Sequence, residues 1–307
     1  AAIRLPAARP LPRPRHTCLA GHELYKALIS RCGLWVLLAF FAVIALLYGR
    51  LSPERSEFEV YYRNYSEILS GAPSQEKDDY LASELARFDG LNEQLAELAQ
   101  QYPDAAAFDR EAEPIRNQLR MEDAFHLAQN QYRALRPGQV YLYQTGYQRL
   151  LGADALRQDV LELGGAFLAV ALLLFGSFAG ERESGVEALL TASPRRKSVV
   201  QWKCVIAGGY VLLLTLALWL PGLLTVQGAY GPLDMAAQAN SVQCLSALSA
   251  DWTVGGVVLA LLASRLLLLA ASAATVMLLS RRCAVVPALL LSLLLLLLPV
   301  GAAYAWM

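Results

Sequence analysis

The chain has 307 residues, 56% of them hydrophobic and 17% charged, with 26 basic against 26 acidic side chains. Soluble domains are about half apolar and a quarter charged, so this balance excludes a disordered chain, a basic nucleic-acid arm and a disulfide-stapled mini-domain. The zero net charge hides an asymmetry: residues 51–160 hold 19 acidic and 11 basic residues, and the rest of the chain 7 acidic and 15 basic.

Opposite excesses in separate regions suit the two sides of a membrane, because cytoplasmic segments collect Lys and Arg. Residues 1–32 carry Arg4, Arg9, Arg13, Arg15, Lys26 and Arg31 against Glu23, which places this N-terminal segment inside. Its Pro- and Arg-rich start, residues 1–15, reads as unstructured and does not resemble a cleavable signal peptide. Gly33 to Gly49 is the first apolar run, at the short end of the roughly 20 residues that a ~30 Å hydrocarbon layer needs.

Residues 50–160 then fall outside. Leu81, Leu85, Phe88, Leu91, Leu95 and Leu98 recur every three or four residues and predict a helix over 74–101. Tyr102-Pro103-Asp104 breaks it. A second helix is expected over about 106–135, carried by Met121, Phe125, Ala128, Tyr132 and Leu135, with Pro114 starting or kinking its main portion. Two such stripes suggest an antiparallel hairpin, either a spacer packed on itself or a lid for a partner or ligand. His126 reads as a surface or packing residue. Val140 to Gly152, with Tyr141, Tyr143 and Tyr147 after Tyr132, reads as a segment anchored at the bilayer edge.

Leu161 to Gly180 is the second span, and 181–203 is a cytoplasmic loop with Arg182, Arg195, Arg196, Lys197 and Lys203. Cys204 to Val226 is the third span. Residues 227–252 lack Lys and Arg, which suits the outside. Thr253 to Leu279 is the fourth span; Arg281 and Arg282 follow inside. Cys283 to Trp306 is the fifth, and within it Leu289 to Leu298 is leucine except for Ser292. Pro221 and Pro287 are expected to kink their helices. Arg265 lies within the fourth span, either touching substrate or another helix, or snorkelling to an interface. The fold class is therefore all-α: a polytopic membrane helix bundle of about five spans with an external helical hairpin between the first two. It is expected in the cell membrane, with its N-terminus cytoplasmic.

The loop at 181–203 is the informative part. Val186, Leu189 and Leu190 give a short helix an apolar face; Arg182, Glu183 and Glu187 give it a polar one. By physics alone it is an interfacial helix with positive-inside charges. The loop also resembles that of the permease subunits of ABC-2-type ABC transporters. Glu181, Arg182, Gly185, Leu189, Leu190, Thr191, Pro194 and Arg195 or Arg196 match the family's pattern, followed by Lys203. The likeness runs loosely from about residue 22 to 307. Val186 stands where Thr or Met is usual, and five spans stand where the family usually has six.

The resemblance implies a coupling helix seated in a groove of an ATP-binding subunit, passing closure of the ATPase dimer to the membrane helices. Glu181, Arg182 and Glu183 would make charge-assisted bonds to the ATPase or to the base of the bundle. Gly185 would allow a turn or a close approach, and Pro194 would end the helix. Arg195, Arg196 and Lys197 would pair with protein or with anionic lipid. The further implications are a homo- or heterodimer with a second permease, export across a bacterial inner membrane, and ATP and Mg on the partner ATPase. This chain itself has no phosphate-binding loop, zinc motif or nucleophile elbow, so neither catalysis, a bound cofactor, a metal nor nucleic acid is expected of it. The alternative is a non-transporting signal transducer, with the external hairpin as sensor.

Overall fold

The structure is a computed structural model that describes residues 19–49, 56–102, 104–193 and 196–306. In chain order the helices are α1 (Leu19–Tyr25), which runs on as a π-helical turn (Lys26–Ser30), α2 (Gly33–Gly49), α3 (Glu57–Leu69), α4 (Gln75–Gln101), α5 (Ala105–Leu119) and α6 (Glu122–Arg133). They continue with α7 (Gln144–Leu151), α8 (Ala153–Leu174), α9 (Gly176–Glu183), α10 (Val186–Ala192), α11 (Arg196–Tyr230), α12 (Val254–Arg282) and α13 (Val285–Trp306). Two isolated bridges, Gly71 with Tyr141 and Gln238 with Thr253, are the only β pairing among the described residues.

The chain is all-helical. The run Gln144–Glu183 and the helices α11, α12 and α13 are each long and apolar enough to cross a membrane. A fifth candidate is a bent pair, Leu19–Ser30 with Gly33–Tyr48, broken by 60°. The break carries a π-helical turn and Cys32 at φ +58, a left-handed conformation uncommon for a residue with a side chain. The helices outrun the expected loop bounds: α11 starts at Arg196, so Lys203 lies inside a helix, and Glu181, Arg182 and Glu183 belong to α9. The expected kink at Pro287 is corrected. That proline sits in the first turn of α13, where no intrahelical donor is missed, and the interior prolines are Pro221 and Pro299.

The chain divides into two compact units. Unit 1 comprises Ala1–Ala45, Val160–Leu218 and Ser264–Met307. In it Ser292 is fully buried and its hydroxyl donates to the Ala288 carbonyl at 2.6 Å, which hides the polar atom within the leucine run.

Unit 2 comprises Leu46–Asp159 and Trp219–Ala263. Here α3 packs on α6 and α4 on α5. Tyr62, Tyr65, Leu69, Leu81, Phe88 and Phe125 are among its buried core. The expected hairpin is thus a larger helical assembly. The sequence reading passed over α3, although Ser56 and Glu59 form an S-x-x-E start in which Ser56 Oγ accepts from the Glu59 amide at 3.2 Å. The second expected helix is two helices broken at Arg120 and Met121, not at Pro114, which lies inside α5. Pro114 is exposed, so water serves the carbonyl that its missing N–H leaves free.

Of the tyrosines read as bilayer anchors, Tyr132, Tyr141 and Tyr147 are buried core residues and Tyr143 is half-buried against the core. Tyr141 is 1% exposed and Tyr147 3%. The Tyr141 backbone exchanges hydrogen bonds with Gly71 at 2.8 and 3.0 Å, its hydroxyl meets Ser66 at 3.2 Å, and the Tyr147 hydroxyl accepts from the Asp234 amide at 2.8 Å. Tyr143 donates to Glu59. Burial, then the neighbouring phenol of Tyr62, pushes Tyr141 well above the usual tyrosine range; burial, then the bond to Glu59, does the same for Tyr143. Both remain protonated donors. A phenol that caps a protein core and one that sits at a lipid interface have the same sequence signature, which is why the pattern misled.

Candidate functional site

One short helix gathers most of the motif. The N-terminal turn of α9 is tied to α12, where Ser280 Oγ accepts from the amides of Phe178 and Ala179, both at 3.0 Å. At its C-terminal end Arg182 donates to the carbonyls of Ser280 at 2.9 Å and Cys283 at 2.5 Å. Glu183 accepts from the Val285 amide at 2.8 Å, a carboxylate at the N-terminus of α13 where the helix dipole favours it.

The inner face of α9 holds charge. Glu181 is 5% exposed, as is Lys203. The two carboxylate oxygens of Glu181 are taken by different lysines, Lys26 from the π-helical turn and Lys203 from α11. Lys203 also donates to the Ser177 carbonyl at 2.6 Å and lies 4.5 Å above the Phe178 ring. Arg31 reaches the same carbonyl at 3.4 Å. A buried carboxylate with two ammonium partners satisfies what burial demands of a charge. It also ties together three segments far apart in sequence.

The outward element is different. Gly185 adopts φ +74, and a side chain there would meet nothing within 4 Å. The turn therefore requires the left-handed backbone, not a close approach. It opens α10, whose Val186 and Leu189 are 38% and 74% exposed. Thr191 lies in the last turn of α10, and Arg196 is exposed at the start of α11. Pro194 and Arg195 lie outside the described residues, as does the Pro- and Arg-rich start. Arg265 is half-buried in α12.

No protein-family model, curated protein or solved structure matches the chain. Among the described residues, four to five helices are long and apolar enough to cross a membrane, as a multi-pass helical membrane protein requires.

The motif residues therefore divide. Glu181, Arg182, Glu183 and Lys203 bond within unit 1, whereas Val186 and Leu189 are presented outward. Lys26, Arg31, Ser177 and Ser280 complete the site but were not singled out from the sequence. The first two read only as positive-inside charges, and the two serines gave no signal, because their contacts join residues 26 to 155 positions apart in the chain.

Proposed function

We propose that the chain is the membrane subunit of an ABC-2-like ATP-driven exporter, working as a homo- or heterodimer with a second permease. ATP and Mg are held, and ATP hydrolysed, on a separate ATP-binding subunit. In this reading the N-terminus and the 181–203 segment face the cytoplasm of a bacterial inner membrane. The observation that carries it is the pairing of an exposed apolar element, α10, with a helix, α9, that is bonded to the π-helical turn, α11, α12 and α13. A push on α10 passes through the Gly185 turn into α9. From there it reaches every element that shares the Glu181 and Arg182 bonds, so one small surface displaces several spans together.

The test is purification of the full-length chain from its native membrane, with identification of what accompanies it. A stoichiometric protein bearing a phosphate-binding loop is expected. Leu189→Asp should lose that protein while its own melting profile is unchanged, because Leu189 is exposed. If the variant retains the ATPase and full activity, α10 is not the coupling element. Recovery of a cytoplasmic signalling protein with no ATPase would favour the second reading, a non-transporting transducer. Its support is the self-contained aromatic core of unit 2, which suits a sensor.

A further inference from the structure

Beside the Glu181 bridge lies a small recess in unit 1, lined in part by Glu23, Arg31, Ser177, Lys203 and Tyr210. Its volume is about 10 Å³, close to the roughly 10–15 Å³ that one water molecule needs. Glu23 and Tyr210 are each 6% exposed. The Tyr210 hydroxyl is buried without a hydrogen-bond partner among the described residues. It lies against the bend between α1 and α2: a Cβ placed on Gly33 would stand 3.3 Å from the Tyr210 oxygen and 2.4 Å from the Ala27 carbonyl oxygen. The bend is packed so closely that only glycine fits at 33, and this packing walls in the hydroxyl.

The charges around the recess select its guest. The Glu23 carboxylate disfavours an anion, and Arg31 and Lys203 disfavour a cation; both of these cations interact electrostatically with Glu23. Lys203 already serves Ser177 and Glu181, whereas the bond from Arg31 to Ser177 is long, at 3.4 Å. The guest must therefore be neutral, must both donate and accept, and must be one heavy atom in size. We propose that the recess is a binding site for a single water molecule, which accepts from Arg31 and joins the Glu23 carboxylate to the Tyr210 hydroxyl. Buried waters of this kind make two to four hydrogen bonds to polar groups that would otherwise lack them. The polar network around Glu181 then extends two helical turns along α11, from Lys203 to Tyr210.

Tyr210→Phe removes only the hydroxyl and tests the sign. If the hydroxyl is unpartnered, its removal leaves stability unchanged or raises it. If water bridges it, removal breaks a satisfied network, and the melting midpoint of the full chain in lipid nanodiscs should fall by roughly 2–4 °C. The second readout is a high-resolution structure of the same sample, in which a solvent peak is expected within hydrogen-bond distance of Tyr210, Arg31 and Glu23. A Tyr210→Phe chain that melts at the same or a higher temperature overturns the assignment, as does a recess without such a peak.

Discussion

The two compact units are fastened by different chemistry. Around α9, unit 1 uses a few charged and backbone hydrogen bonds, with Glu181 taking Lys26 and Lys203 at once. Unit 2 uses an aromatic core in which Phe125 lies 5.3 Å from Phe88 and 5.4 Å from Tyr65, centroid to centroid. Helices that are apolar all round gain little from burying one hydrophobic face, since lipid is as apolar as leucine. Position then rests on small numbers of polar contacts. A helical unit with charged outer faces is held by the hydrophobic effect, spread over many side chains. Damage to unit 1 should therefore be concentrated at single residues, and damage to unit 2 distributed.

The sharpest way to break this contrast is Glu181→Gln. It leaves two lysines facing a neutral amide, and removal of one partner from a buried ion pair costs about 3–5 kcal/mol. Low yield and a large drop in melting midpoint are expected, with partial recovery when Lys203→Met is added. A neutral effect would mean that the charges around α9 do not hold unit 1 together.

Next comes Leu69→Ala. Leu69 is fully buried in unit 2, and such a truncation costs roughly 2–5 kcal/mol. Limited proteolysis should show faster cleavage confined to residues 56–152. If cleavage also accelerates around α9, the two units are not independent in stability.

The smallest effect is electrostatic. Glu84 is pushed up by burial, but the bonds from Arg87, at 2.6 and 2.9 Å, and from Tyr65 outweigh this and hold its carboxyl below the ordinary value of 4.5. The folded value lies below the unfolded one, so the contribution is present above the ordinary value and lost as pH falls through the folded one. The pair is partly exposed, so the loss should be within about 1 kcal/mol. Glu84→Gln should flatten that part of the acid-side decline in unit 2; an unchanged pH profile would assign the decline to other groups.

What the sequence revealed and what it hid follow the same division. The apolar runs marked the spans because length and composition are local properties, and the leucine stripe placed α4 within one residue of its observed start. Helix α3 was overlooked because its buried face is mostly tyrosine and serine, residues that carry little hydrophobic signal. Lys203 and Glu181 stood out through a resemblance, but Lys26 and Ser177, which bond to them, did not. That Lys26 reaches Glu181 depends on how the bend and α9 meet, which no local pattern encodes. Nor does a short motif say whether a polar residue serves a partner or its own fold: Arg182 and Glu183 bond to α12 and α13, and Leu189 is exposed.

The bend between α1 and α2 has a consequence for the lipid. Where the α2 arm of the bent pair crosses alone, its 17 residues stand against 22 in α13, and a rise of about 1.5 Å per residue gives lengths of about 25 and 33 Å. A bilayer with a ~30 Å core cannot match both at rest. It must be compressed beside α2, or the longer helix must tilt, and either deformation has an elastic cost that sorts proteins between thin and thick membranes. Where only this arm of the bent pair crosses, the bend favours a thinner membrane.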